Sequence, residues 1–115
     1  MAKLYYSLRI RTQESNYDLV SEILSIKPYN LTEGWIHEIE NSGNEYFDFI
    51  NVFLDILEEK FDKLDKIGVY KKDITIWLIY EYNDQCNLEF QSKDLKRLGE
   101  NEISLCLSCY EGGYE

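Results

Sequence analysis

Cys106-Leu107-Ser108-Cys109 has the C-x-x-C spacing that, in a helix or knuckle, supports a redox pair or half a zinc site. The run alternates apolar and polar residues, so it belongs on a strand, where positions three apart point to opposite faces and the sulfurs cannot meet. His37 is the only histidine, and no nucleophile motif accompanies it as a general base would need. Glu38 and Glu40 share one strand face at about 7 Å, a spacing open to paired-carboxylate chemistry, although surface acids explain them more cheaply. Glu58, Glu59 and Asp62 crowd one helix face with Lys63 and Lys66 as local partners. Asn83-Asp84 is turn chemistry and lacks the six or more oxygens that calcium takes. The chain has no Walker A motif, no G-x-G-x-x-G and no G-x-S-x-G. The expectation is a protein that is not an enzyme, with no cofactor, no metal and no catalytic residue.

Such groups need elements to hold them. Leu4, Tyr6, Leu8 and Ile10 alternate with Tyr5, Ser7, Arg9 and Arg11, which predicts a strand with one buried face and two arginines on the other. Ser15-Asn16-Tyr17-Asp18 has the form of a capping box before a short helix carrying Leu19, Val20, Ile23 and Leu24, closed by Ile26-Lys27-Pro28. Residues 29–34 read as a loop, residues 35–40 as a second strand, and Asn41-Ser42-Gly43-Asn44 as a turn. Tyr46, Ile50, Phe53, Leu57, Phe61 and Leu64 recur at spacings of three and four, which predicts one long amphipathic helix. Gly68 stands where a left-handed cap belongs, with Val69 placed to pack back on the last turn. Residues 73–82 are apolar on both faces, which suggests a central strand or a partly covered second face. Asn83-Asp84-Gln85 and the alternation of Cys86, Leu88 and Phe90 then complete an antiparallel hairpin over 73–91. Ser92 caps a short helix with Leu95 and Leu98 inward, ended by Gly99, and residues 103–110 form the last strand.

The predicted order is β-α-β-α-β-β-α-β. It describes an α+β two-layer sandwich, a mixed or antiparallel sheet of four to five strands with one long amphipathic helix and two short ones. The 115 residues fit a single domain over 1–110, with 111–115 as a flexible C-terminal tail. Twelve Lys and Arg against 22 Asp and Glu leave a net charge of -10, which argues against nucleic acid as a partner. The stretch 36–66 holds nine of the acids and three of the bases, so the acidity concentrates around the long helix. No apolar run of about 18 residues is present to span a membrane. The opening residues turn polar too early for a signal peptide. Three cysteines, an odd number, read as reduced thiols in the cytoplasm.

Four features together resemble the bacterial family known as domain of unknown function 4279. They are the opening strand Tyr6-Ser7-Leu8-Arg9-Ile10 with its short helix ending in Ile26-Lys27-Pro28, then Gly34-Trp35, then the central amphipathic helix. The last is the ending Leu88-Glu89-Phe90-Gln91-Ser92-Lys93-Asp94-Leu95, Leu98-Gly99 and a strand finishing in Cys109-Tyr110. The resemblance covers nearly the whole chain through structural motifs. It implies a bacterial protein with no family catalytic residues to carry over. Relatives are held to sit beside toxin systems, so it also implies an immunity role as a candidate.

Ten Tyr, five Phe and two Trp exceed what a core of this size needs. Arg9, Arg11, Trp77 and Tyr110 fall on the strand faces opposite the main apolar stripe and predict a mixed aromatic–basic patch, the residue types that anchor interfaces. Asp55, Glu58, Glu59 and Asp62 predict an acidic helix face. The leading expectation is a non-catalytic protein-binding module, a candidate toxin-neutralising immunity protein steered toward a basic toxin domain through one of these surfaces. A homodimer using the sheet face is the blander expectation. The alternative is a small-molecule binder or enzyme with a cleft between sheet and helices, drawing on Trp35, His37, Tyr80 and Arg9.

Overall fold

The structure, a computed structural model, describes residues 3–28, 34–41, 47–83 and 87–112. Among them, strand periodicity yields β1 (Lys3–Ile10), β2 (Trp35–Asn41), β3 (Ile74–Tyr82) and β4 (Ser104–Glu111). Helical periodicity yields α1 (Tyr17–Leu24), α2 (Phe49–Leu57), α3 (Phe61–Lys66) and α4 (Ser92–Glu100). The strands form one mixed sheet in the order β2-β1-β3-β4, with β1 antiparallel to both β2 and β3, and β3 parallel to β4. The α+β two-layer class predicted from the pattern is the observed one, and β3 is a central strand, the first of the two expectations its apolar faces raised.

Register follows from the buried faces. Leu8 lies between His37 and Ile76, and Tyr6 between Ile39 and Leu78. A one-residue slip would turn each of these side chains to the other side of the sheet. On this side Tyr6, Leu8, Ile10, Trp35, Ile74, Ile76 and Leu78 meet Val20 and Leu24 of α1, Ile50, Phe53, Leu54 and Leu57 of α2, Leu64 of α3 and Leu98 of α4 in one buried cluster. The molecule measures 20 Å through its thinnest dimension, which two layers fill.

Three expectations are corrected. The long helix is two helices, α2 and α3, separated by a turn at residues 58–60 in which the Lys60 N–H donates to the Leu57 carbonyl. Neither Pro nor Gly causes the break. Glu58, its first residue, is gripped by Arg97 and Asn101 from the α4 side, so a tertiary contact pins the helix end there. The hairpin over 73–91 is absent among the described residues. The neighbours of β3 are β1 and β4, and residues 87–90 are not strand; Cys86 and the Asp84-Gln85 turn lie outside the described residues. Leu88 and Phe90 alternate because both drop onto the core, Phe90 edge-on to Phe49 at 6.4 Å. A parallel pair needs a crossover, and α4 supplies it. Finally, Gly99 does not end α4. Glu102 takes the left-handed conformation (φ 57°) and the Ile103 N–H reaches the Leu98 carbonyl. Leu95 faces solvent, and Asp94 takes the inward position with Leu98.

Other local signals hold or shift slightly. Gly68 (φ 82°) closes α3 with the Val69 N–H on the Leu64 carbonyl, and Val69 is buried against that turn as its spacing requires. The capping box expected at Ser15 is not formed at the start of α1, where Asn16 turns its side chain to Thr12 and to the Ile67 carbonyl. β4 runs on to Glu111, paired with Tyr82, and the Gly112 N–H donates to the Tyr82 carbonyl, so the strand takes up the first residues expected in the tail. The Ser42-Gly43-Asn44 turn and residues 113–115 lie outside the described residues.

The one-sided core makes a contrast of two apolar residues. Phe53→Ala, at a fully buried site, is expected to lower unfolding free energy in urea by about 3–5 kcal/mol. Leu107→Ala, at an exposed position of β4, is expected to change it by less than about 0.5 kcal/mol.

Candidate functional site

Every described helix packs on one side of the sheet, so among the described residues the other side carries none. Strand alternation assembles that bare face in rows. Ile36, Arg9, Thr75 and Ser104 form the first row; Glu38, Ser7, Trp77 and Cys106 the second. Glu40, Tyr5, Ile79 and Ser108 form the third, and Lys3, Glu81 and Tyr110 the fourth. None of these side chains belongs to the helix-side core.

Within this face the guanidinium of Arg9 lies 4.4 Å from the centre of the Trp77 ring, a cation–π stack across neighbouring strands. The Trp77 indole N–H donates to Thr75 Oγ1 at 3.0 Å, which fixes the ring for the stack. Ser7, fully buried beneath its neighbours, donates from Oγ to Glu38 at 2.9 Å. Arg11 extends past the end of β1, 83% exposed, with Asp73 3.9 Å away. Tyr110 sits in the fourth row, six residues along from the Arg9 row and so about 20 Å from it. Its hydroxyl donates to Glu81 at 3.4 Å, and partial desolvation together with the Glu81 carboxylate keeps the phenol above its ordinary pKa. The sequence-predicted patch is therefore a cluster of Arg9, Arg11 and Trp77, with Tyr110 standing apart.

The predicted acidic helix face divides. Asp55 and Glu58 are each 2.6 Å from the Arg97 guanidinium, which also donates to Asn51 Oδ1 at 2.6 Å. Asn51 in turn donates to the buried Asp94 at 2.8 Å. Arg97 thus clamps the C-terminal end of α2 to α4. Its neighbours push the Arg97 pKa further up, and hydrogen bonds from Arg97 and Asn101 hold Glu58 below the usual carboxylate range. Glu59 and Asp62 are exposed, and neither Lys63 nor Lys66 pairs with them.

Of the cleft residues of the alternative reading, Arg9 and Trp35 border one groove, and His37 and Tyr80 do not join them. Trp35 is fully buried, donating from Nε1 to Ser21 Oγ at 2.9 Å. His37 Nδ1 lies 2.9 Å from the Lys27 carbonyl, so that nitrogen carries the proton, and its ring meets Phe53 edge-on. Tyr80 faces the helices with His37, while Arg9 points to the opposite side. Phe53, Leu54 and Leu57, all fully buried, fill the layer between. Cys106 and Cys109 lie opposite Trp77 and Tyr80, on the two faces of β4. Among the described residues no three His, Cys, Asp or Glu side chains gather to hold a metal. Sequence reading missed the acids Glu38 and Glu81 as members of the surface that holds Trp77, and Lys72 at its edge. The alternation of the two glutamates was visible, but the pairing of strands was not.

No protein-family model, no curated protein and no solved structure matches this chain.

The Arg97 clamp sets a pH dependence. A depressed folded-state pKa of Glu58 contributes stability that is complete above the unfolded-state value and is lost as pH falls through the folded value. Arg97→Met is expected to cost about 1 kcal/mol at neutral pH, the scale of a solvent-screened pair. The gap from wild type, measured by urea unfolding at successive pH values, should shrink below the ordinary Glu range. A gap that widens in acid would contradict this assignment.

Proposed function

We propose that the chain is a non-catalytic protein-binding module, a candidate immunity protein of the bacterial cytoplasm that docks a basic toxin domain on its helix-free sheet face. The observation that carries this reading is the composition of that face. Trp77, Tyr5 and Tyr110 offer wide contact with a polar handle. Glu38, Glu40 and Glu81 lie among them as carboxylates for a basic partner. A net charge of -10 steers such a partner inward from a distance. The resemblance to the domain of unknown function 4279 family, read from the sequence alone, implies the same role, since some of its members are thought to sit beside toxin systems. The acidic helix face is the weaker candidate, since Arg97 already occupies Asp55 and Glu58. Among the described residues no helix is long and apolar enough to cross a membrane.

The test begins with capture of partners from the native lysate at low salt, followed by titration of the purified partner. Binding to a basic domain should weaken as salt rises. Replacing Trp77 and Tyr110 together by Ser should weaken it roughly 30-fold or more, the scale of lost aromatic anchors. A partner that is not basic, or one that binds the double variant as tightly as wild type, would sink the reading.

A further inference from the structure

The end of β1 and the start of β3 border a groove of about 600 Å³ at the edge of the bare face. Its wall carries Arg9 and Arg11 against one carboxylate, Asp73, and Lys72 also borders it, with its ammonium 5.9 Å from the Tyr70 ring. That is a local excess of positive charge in a chain with 22 acids and 12 bases. Asp73 is already engaged, since Oδ2 accepts the Tyr70 N–H at 3.0 Å and Oδ1 faces Arg11. Arg9 is different. Its Nε is buried and has no hydrogen-bond partner, and no carboxylate among the described residues lies within ion-pair distance of its guanidinium. Nε is closed to solvent where the guanidinium stacks on Trp77, so the part of Arg9 that the groove offers a ligand is the remainder of its guanidinium. The stack on Trp77 holds the guanidinium in place. Thr75 Oγ1 accepts from Trp77, so its own hydrogen is left to donate to an acceptor in the groove.

We infer that this groove binds the phosphate group of a small phosphomonoester. Arg9 and Arg11 outnumber Asp73, and Lys72 stands close enough to add its charge, so the groove favours a doubly charged phosphate over a singly charged carboxylate. The planar fork of an arginine matches two phosphate oxygens at once. A lone phosphate would leave most of the groove empty, whereas its volume falls in the range of small-molecule sites. The site is separate in kind from the protein-docking reading, although the two share Arg9 and Trp77.

The experiment titrates the purified chain with phenyl phosphate, inorganic phosphate and benzoate. Tryptophan fluorescence and the Arg Nε–H resonances report binding. Phenyl phosphate should saturate a single site and shift the Arg9 Nε–H signal, binding about tenfold or more tighter than benzoate. Arg9→Met should weaken it about tenfold or more. Arg11→Met, at a position too exposed to disturb folding, should weaken it severalfold. Lys93→Met on α4, outside the groove, should change nothing. Absence of saturation up to about 10 mM phenyl phosphate, the weak end of single-group recognition, would overturn the proposal. So would equal binding of benzoate, or a loss with Lys93→Met as large as that with Arg11→Met. No partner protein is present, so failure here leaves the docking reading standing, and failure of docking leaves this one standing.

Discussion

The parallel pairing of β3 with β4 is the constraint on which the rest of the molecule depends. Two parallel strands cannot be joined by a tight turn, so the chain must leave the sheet, form α4 and return. That crossover lies on the same side as α1, α2 and α3. The core is therefore one-sided, and the opposite face of the sheet is built from whatever the odd-numbered residues of β1 and β3 happen to be. Those residues include an arginine, a tryptophan, a tyrosine and a glutamate rather than a polar blank. The Arg97 clamp secures the same arrangement from the helix side, because it fastens the crossover helix to α2 through Asp55, Glu58 and Asn51.

What was legible in the chain was local. The alternation of β1 and β3, the apolar stripe of the central helical region and the Gly68-Val69 cap depend on neighbours within a few residues, and each sits where its pattern placed it. What was illegible depended on distant partners. Alternation at residues 86–90 reads the same whether the segment pairs with a strand or drops two side chains onto a core. The break between α2 and α3 has no proline or glycine to announce it, and its anchor, Arg97, lies 39 positions from Glu58. In α4 the three-residue spacing of Leu95 and Leu98 outweighed a buried Asp94, because the Asn51 that satisfies that carboxylate stands 43 positions away. The site followed the same rule. Parity put Arg9 and Trp77 on a common side, but only the register β1–β3 puts the guanidinium over the ring.

Charge is arranged on this molecule rather than merely abundant. Near β2 and the far end of β3 the bare face is acidic. At the Arg9 end it is cationic, with few acids placed to compensate despite their excess in the chain. An electrostatic gradient of this kind orients an approaching molecule as well as attracting it.

The order of the strands also governs how the chain comes to be folded. The two central strands pair Ile10 with Ile74 and Lys3 with Glu81, partners 64 to 78 positions apart. At a synthesis rate of about 5–20 residues per second, β1 waits several seconds for its central neighbour. Until then it can pair only with β2, and its other edge is open. Contacts of such long sequence separation place this small domain among the slower folders of its size. A nascent chain of this protein therefore passes through an interval in which its most apolar ladder has one strand and no mate.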